Sequence, residues 1–263
     1  MGFVKRPEEI ARIQRALTHP RFVNAEMLSV EFLTDAAVVE QLLPPPLEPT
    51  EQPRISAMIG RWQSNCVGDY NGGAIYVAAR HGGIDGDYVL AMYMDGDVPM
   101  IYGRDVFGEP KKQGSSALYR HGDSFHGWVQ RNGVRLIELY AQLDTDLGPF
   151  ESEGINFNFK ARPAADGVGL QEDAILTRAT FDLRAVASRE GSGRIVLRGT
   201  THDPLDELPI HSVVRGFFME CDIFASCQAV ATVPADVFLP YHYGRHDDWS
   251  ALDTESPAVV ALS

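Results

Sequence analysis

The sequence predicts a mainly β, β-rich α+β domain: antiparallel strands in a closed barrel or a tightly packed double sheet, with a few short helices. Three observations carry this reading. From Ile55 to Val233 the dominant hydrophobic period is two residues, that of strands that show alternate side chains to opposite faces. The strand-like runs are separated by Gly, Asp and Asn clusters that suit hairpins, Arg131-Asn132-Gly133 being the clearest. Strands do not alternate with long helices, which argues against a parallel α/β architecture, and closure removes exposed edges.

Taken in order, Pro7–Leu17 reads as a short helix, with Pro in the first turn, Glu8 and Glu9 complementing the dipole, and Ile10, Ile13 and Leu17 on one face. Met27–Leu33 reads as a strand. Thr34 is placed to cap a second helix, Asp35–Leu43, which three prolines stop. Strands follow at Ile55–Trp62, Ala74–Ala79, Tyr88–Met94, Ser116–His121, Ser124–Arg131 and Val134–Leu143. Asp97–Phe107 reads as one or two helical turns, with Pro99 early and Gly108 just past the end. The second half adds Gly154–Ala161, Ala174–Val186, Gly193–Thr200 and Ser212–Val233, with loops at Gly167–Gly169 and Ser188–Ser192. No composition break marks a linker, so residues 1–263 read as a single domain.

A surplus of 36 acidic over 23 basic residues, net −13, disfavours nucleic acid and anionic membrane surfaces as partners. An anionic substrate would need local positive charge, and Arg104, Lys111 and Lys112 supply it within one stretch. Cys66, Cys221 and Cys227 cannot all pair and lack zinc spacing, which suits free thiols in a reducing compartment. The first residues lack the apolar core of a signal peptide, and no run of about 18 apolar residues occurs. A cytoplasmic location is expected.

The stretch Gly103-Arg104-Asp105-Val106-Phe107-Gly108-Glu109-Pro110-Lys111-Lys112 carries the chemistry. Pro110 biases Glu109 toward extended geometry, so Lys111 begins a strand facing one side and Lys112 faces the other. A lysine is a nucleophile only as the free amine, which burial or a neighbouring cation favours.

Six segments, in order, resemble the acetoacetate decarboxylase family: Pro44-Pro45-Pro46-Leu47-Glu48, the run from Gly86-Asp87-Tyr88 to Tyr93-Met94-Asp95, Gly103-Arg104-Asp105, Pro110-Lys111-Lys112, Asn156-Phe157-Asn158-Phe159-Lys160 with Pro163, and Pro204-Leu205-Asp206-Glu207-Leu208-Pro209. The resemblance implies a closed antiparallel, double-layered β-barrel with Lys111 facing its interior and forming a Schiff base with a keto acid. It implies Lys112 as a pKa-perturbing or packing neighbour, and a homo-oligomer. The family's decarboxylases also carry an arginine and two glutamates that align, without gaps, with Ala25, Ala57 and Gly72, none of which can hold a charge. Their loss points away from acetoacetate. Relatives lacking those groups include pyruvate aldolase-dehydratases, and Tyr70 falls near the position of such relatives' active-site tyrosine.

The expected activity is therefore a cofactor-free Schiff-base lyase acting on pyruvate or a related 2-oxo acid. It would catalyse aldol condensation with dehydration, or hydration and dehydration of an unsaturated oxo acid, with small-molecule oxo acid and aldehyde as partners. Decarboxylation of acetoacetate or a larger β-keto acid is one alternative, and a non-catalytic binding barrel another. Glu109, two residues before Lys111 and on the same face of an extended chain, could shuttle protons or be a surface turn carboxylate. Beside an amine it should be neutral or turned away. Tyr70 and Tyr241 could supply phenols or be structural aromatics, as could Tyr243 as a substrate contact. Arg104 could bind a carboxylate or pair with Asp87 or Asp105. His242 and His246, with Asp247 and Asp248, read as a surface tail rather than a metal site, since Gly244 interrupts the spacing. Asp203, Asp206 and Glu207 read as a solvated turn.

Overall fold

Apolar residues fall on both faces of most strands because the sheet is covered twice. In the computed structural model, which describes residues 2–252, helix α1 (Pro7–Thr18) leads to strand β1 (Arg21–Leu33), helix α2 (Ala36–Leu42) and a short β2 (Glu48–Pro49). Next come β3 (Arg54–Ser64), β4 (Gly68–His81) and β5 (Ile84–Met94). Helix α3 (Asp97–Tyr102) runs on as one π-helical turn, Gly103–Phe107, before β6 (Lys111–Gln113). The rest is β7 (Ser115–His121), β8 (Ser124–Arg131), β9 (Val134–Asp146), β10 (Phe150–Lys160), β11 (Ala174–Leu197), β12 (Ser212–Val233) and helix α4 (Ala235–Tyr243). No helix among the described residues is long and apolar enough to cross a membrane.

The barrel closes in the order β10-β5-β4-β3-β1-β12-β11, with β11 pairing back to β10. Its neighbours are antiparallel except at one short seam, where Asn156 and Phe157 of β10 run parallel beside Asp87 and Tyr88 of β5. The second layer is β9-β8-β7. Phe125 of β8 with Ile137 and Leu139 of β9 buries against Phe32, Ile55 and Val77 of the barrel wall. At about 1.5–3 kcal/mol for each large apolar side chain, this interlayer core dominates the stability. A wall pressed between that core and the barrel interior needs apolar residues on both sides, which is why β4 reads Ala74-Ile75-Tyr76-Val77-Ala78-Ala79.

The sequence reading divided β11 at Ser188–Ser192, but the strand is continuous. It pairs with β10 up to Ala185 and with β9 from Arg189, slipping register near Ala187 and Glu190 as it leaves the barrel for the second layer. Gly191 permits the bend, since a Cβ there would strike the backbone of Gln142. At α2 the residue before the first turn is Asp35, not Thr34. Asp35 makes no side-chain cap because its carboxylate meets His211 Nε2 at 2.7 Å, and the Thr34 hydroxyl is buried without a partner. The three cysteines are free, and burial pushes the Cys221 thiol up to about 12 and that of Cys227 up to about 11.

Candidate active site

Strand β6 is three residues long, and its pairing decides where the two lysines point. It lies parallel to β5 with Lys111 beside Met92 and Lys112 beside Tyr93, and residues in register share a face. Met92 faces the barrel interior. Tyr93 faces the interlayer core, its hydroxyl donating to Asp203 at 3.1 Å.

Lys111 therefore enters a cavity of about 250 Å³ that is the interior of the barrel. Barrel strands supply an apolar lining that includes Met27, Met58, Trp62, Met94, Phe181 and Met219, and α3 with its π turn closes the space with Pro99, Tyr102 and Phe107. The lysine is 6 % exposed. Its Nζ lies 2.8 Å from Glu109 Oε2, donates to the Pro99 carbonyl at 3.2 Å, and stands 6.0 Å from the centre of the Tyr70 ring. Of the two arrangements the sequence left open for Glu109, the one in which it is turned away from the amine does not occur. Burying a charge beside an opposite one costs less than burying it alone. At 2.8 Å the carboxylate is within hydrogen-bond reach of the amine, so Glu109 is placed to exchange a proton with it.

The turn before β6 is built to bring the two groups together. Gly103 opens the π turn, Gly108 ends it in the left-handed region at φ 81°, and the Glu109 N–H donates back to the Gly103 carbonyl at 3.1 Å. The carboxylate and amine then lie directly against Gly103. A Cβ there would meet the Glu109 carboxylate and would come within 2.6 Å of Lys111 Nζ. Gly103→Ala is expected to cost about 1–3 kcal/mol from overpacking, seen as a lowered thermal midpoint, and to slow trapping of a keto acid on Lys111 by about 10²-fold through misplacement of the pair.

Two phenols face the same space. Tyr70 stacks on Trp62 with ring centres 5.1 Å apart, and Tyr76, six residues further along β4, lies on the same face. Burial, then the Glu109 carboxylate, drives both hydroxyls well above the usual phenol range, so each stays a proton donor. Asp87 also lines the cavity, and burial raises its carboxyl although Arg54 pairs with it at 3.0 Å. Tyr76 and Asp87 were missed as site residues. The even spacing from Tyr70 would have found the first, whereas the parallel seam that turns Asp87 inward has no local signal.

Other candidates stand elsewhere. Arg104 is on the far side of the Glu109–Pro110 turn, where its Nη1 donates to the Lys111 carbonyl at 3.0 Å and pairs with neither Asp87 nor Asp105. Tyr241 belongs to α4, stacks on Phe238 and lines a separate space with Lys112 and Asp203. Tyr243 is exposed, its hydroxyl donating to the Gly167 carbonyl at 3.4 Å. Lys112 is held on the outer face by Asp203 at 2.9 Å and Asp247 at 3.2 Å. Asp203 is thus no solvated turn residue, and the chain from His242 to Asp247 is no loose tail, because both fold onto this lysine.

A model of the family described as acetoacetate decarboxylase matches residues 6–230. The chain belongs to the acetoacetate decarboxylase family. Acetoacetate decarboxylases of Burkholderia lata and Chromobacterium violaceum are 27% and 28% identical to it over 208 residues, which is 77% of this chain and 84% of each relative. The fold is shared with the acetoacetate decarboxylase structure from Legionella pneumophila (TM-score 0.74, 22% identity, 82% of this chain and 90% of that one). It is shared also with the enduracididine biosynthesis enzyme MppR complexed with pyruvate (TM-score 0.69, 17% identity, 81% and 90%).

At the three positions aligned with the family's decarboxylase charges, the barrel is apolar or closed. Ala25 is fully buried among Met27, Trp62 and Ile223. A Cβ on Gly72 would sit 2.7 Å from the Met94 sulfur, so the thioether fills the place of a side chain. Ala57 faces the interlayer core, and its neighbours Ser56 and Met58 face the cavity.

Proposed function

We propose that this member of the family is a lysine Schiff-base lyase that joins pyruvate, or a related 2-oxo acid, to an aldehyde with loss of water. The observation that carries the reading is the Lys111 amine 2.8 Å from a carboxylate inside an apolar barrel cavity. The free amine adds to the C2 carbonyl and water leaves, giving a protonated imine. Glu109 removes a C3 proton, and the electron pair moves into the C–N system to form an enamine. That carbon attacks the aldehyde, and a phenol of Tyr70 or Tyr76 protonates the new oxygen. Removal of the second C3 proton expels the hydroxyl as water, and hydrolysis of the imine releases an unsaturated oxo acid and the amine.

Three features support condensation over simple decarboxylation. Breaking a C–H bond needs a base, and Glu109 is at hand, while loss of carbon dioxide from an imine needs none. Hydroxyl loss needs an acid, and two protonated phenols face the cavity. Aromatic and thioether walls suit an apolar aldehyde substituent. The cavity lining holds no guanidinium, so the substrate carboxylate would be met by the phenols and by Lys111 itself.

Mixing the protein with pyruvate and an aromatic aldehyde is expected to build the absorbance of a conjugated oxo acid. Release of carbon dioxide from acetoacetate without condensation would assign the chain to decarboxylation, as the names of its relatives suggest, and failure of any keto acid to react would leave a binding barrel. Glu109→Gln, which keeps the shape but not the base, is expected to lower condensation by about 10²-fold, measured by the same absorbance.

A further inference from the structure

Behind the Glu109–Pro110 turn lies a second cleft, of about 600 Å³, between the π turn, the end of β10 and the chain following α4. Four cations line it: Arg104, Lys160, Arg245 and Arg162, of which Arg162 pairs with Glu172 and the first three have no ion-pair partner among the described residues. Four carboxylates line it too, and three of them have partners of their own. Glu109 meets Lys111, Glu172 pairs with Arg162 at 2.7 Å, and Asp173 accepts from the Ala235 N–H at 3.0 Å, leaving Asp105 exposed to solvent. The two unpaired guanidiniums bond only to uncharged oxygens. Arg104 donates to the Lys111 carbonyl, and Arg245 to the carbonyls of Gly108 and Phe159 and the Tyr88 hydroxyl, while Arg245 Nε is buried with no partner. Among the described residues no carboxylate lies within ion-pair distance of any of the three.

His242 and His246 complete the wall with their Nε2 atoms 3.1 Å apart. Burial, together with His246 and the nearby Arg245 and Arg104, pushes His242 down to about 4, so the pair adds donors without adding charge at neutral pH. Arg104 is likewise held below its usual value by burial and by Arg245, against a partial offset from Asp105. In a chain of net charge −13, concentrating unpaired cations in a concavity is costly unless an anion relieves it.

We propose that this cleft is a second binding site, taking a phosphate-type oxyanion between the Arg104 and Arg245 guanidiniums and the Lys160 amine. Donors arriving from three elements suit the several oxygens of a phosphate better than a single carboxylate. The site does not depend on the reaction at Lys111, which points into the other cavity.

Calorimetric titration of the full chain with inorganic phosphate at low ionic strength tests it. Saturable binding is expected, tighter than that of acetate, weakened by about tenfold or more in Lys160→Gln, restored in Lys160→Arg, and retained in Lys111→Ala. A parallel titration with glycerol 3-phosphate separates a site for the free ion from one for a phosphate monoester, and tighter binding of either supports the proposal. Absence of saturable binding, binding indifferent to Lys160→Gln, acetate binding as tight as phosphate, or binding lost in Lys111→Ala would overturn it.

Discussion

Replacing Lys111 by alanine is expected to abolish covalent capture of keto acids and to lower turnover by about 10⁴-fold or more, the scale on which loss of a covalent nucleophile is felt. With pyruvate and borohydride, the native protein should carry a reduced adduct on the peptide containing Lys111, and the variant none. Arginine cannot rescue, because a guanidinium stays protonated and does not condense with a carbonyl. The alanine variant also leaves Glu109, 9 % exposed, without its cation, so a fall in stability could masquerade as loss of chemistry. The double change Lys111→Ala with Glu109→Gln removes that buried charge. If the double variant melts near the native temperature and still takes no label, the loss lies in the chemistry. An adduct on another lysine, or turnover retained in either variant, would place the nucleophile elsewhere and sink the mechanism.

The fold was legible because each of its causes is local. Period-two runs made strands, the Asn132-Gly133 turn carries both residues at positive φ, and Pro110 set Lys111 at the start of a strand, on the face opposite Lys112. What stayed hidden depends on contacts distant in sequence. β11 read as two strands because Ser188–Ser192 looks like a loop, whereas Gly191 within it lets one strand cross between layers. Glu109 was placed on the correct face by its two-residue offset, but its distance from the amine is set by the π turn and by the absence of a Cβ on Gly103, neither of which a hydrophobic pattern encodes. The tyrosines divided in the same way. Tyr70 and Tyr76 follow strand alternation into the cavity, while Tyr241 sits on a helix whose Pro240 masked its periodicity and carries it away from Lys111. Arg104 was near the lysine in sequence and is near it in space, yet the turn between them puts it behind the backbone.

Asp203→Ala is expected to destabilise the protein by about 3–5 kcal/mol, the cost of leaving buried partners uncompensated, and to lower the thermal midpoint by about 10 °C. Its carboxylate, 4 % exposed, accepts from Lys112 at 2.9 Å, Arg131 at 2.7 Å and the Tyr93 hydroxyl at 3.1 Å. Asp247 lies 3.2 Å from Lys112 and accepts from Arg131 Nη2, and the two carboxylates hold Arg131 above its usual value despite burial. This network fastens β6 to β5 and β8 from the side opposite the cavity. A strand of three residues has too few ladder hydrogen bonds to fix its own position, so the outer lysine anchors what the inner lysine needs to reach. Asp203→Asn keeps the shape and part of the hydrogen bonding, and should lose less stability than the alanine variant. If anchoring is the role, trapping of pyruvate on Lys111 should slow in both variants, in the same order, at a temperature where each is folded. Trapping at the native rate in a destabilised Asp203→Ala would show that the network stabilises the barrel without positioning the nucleophile.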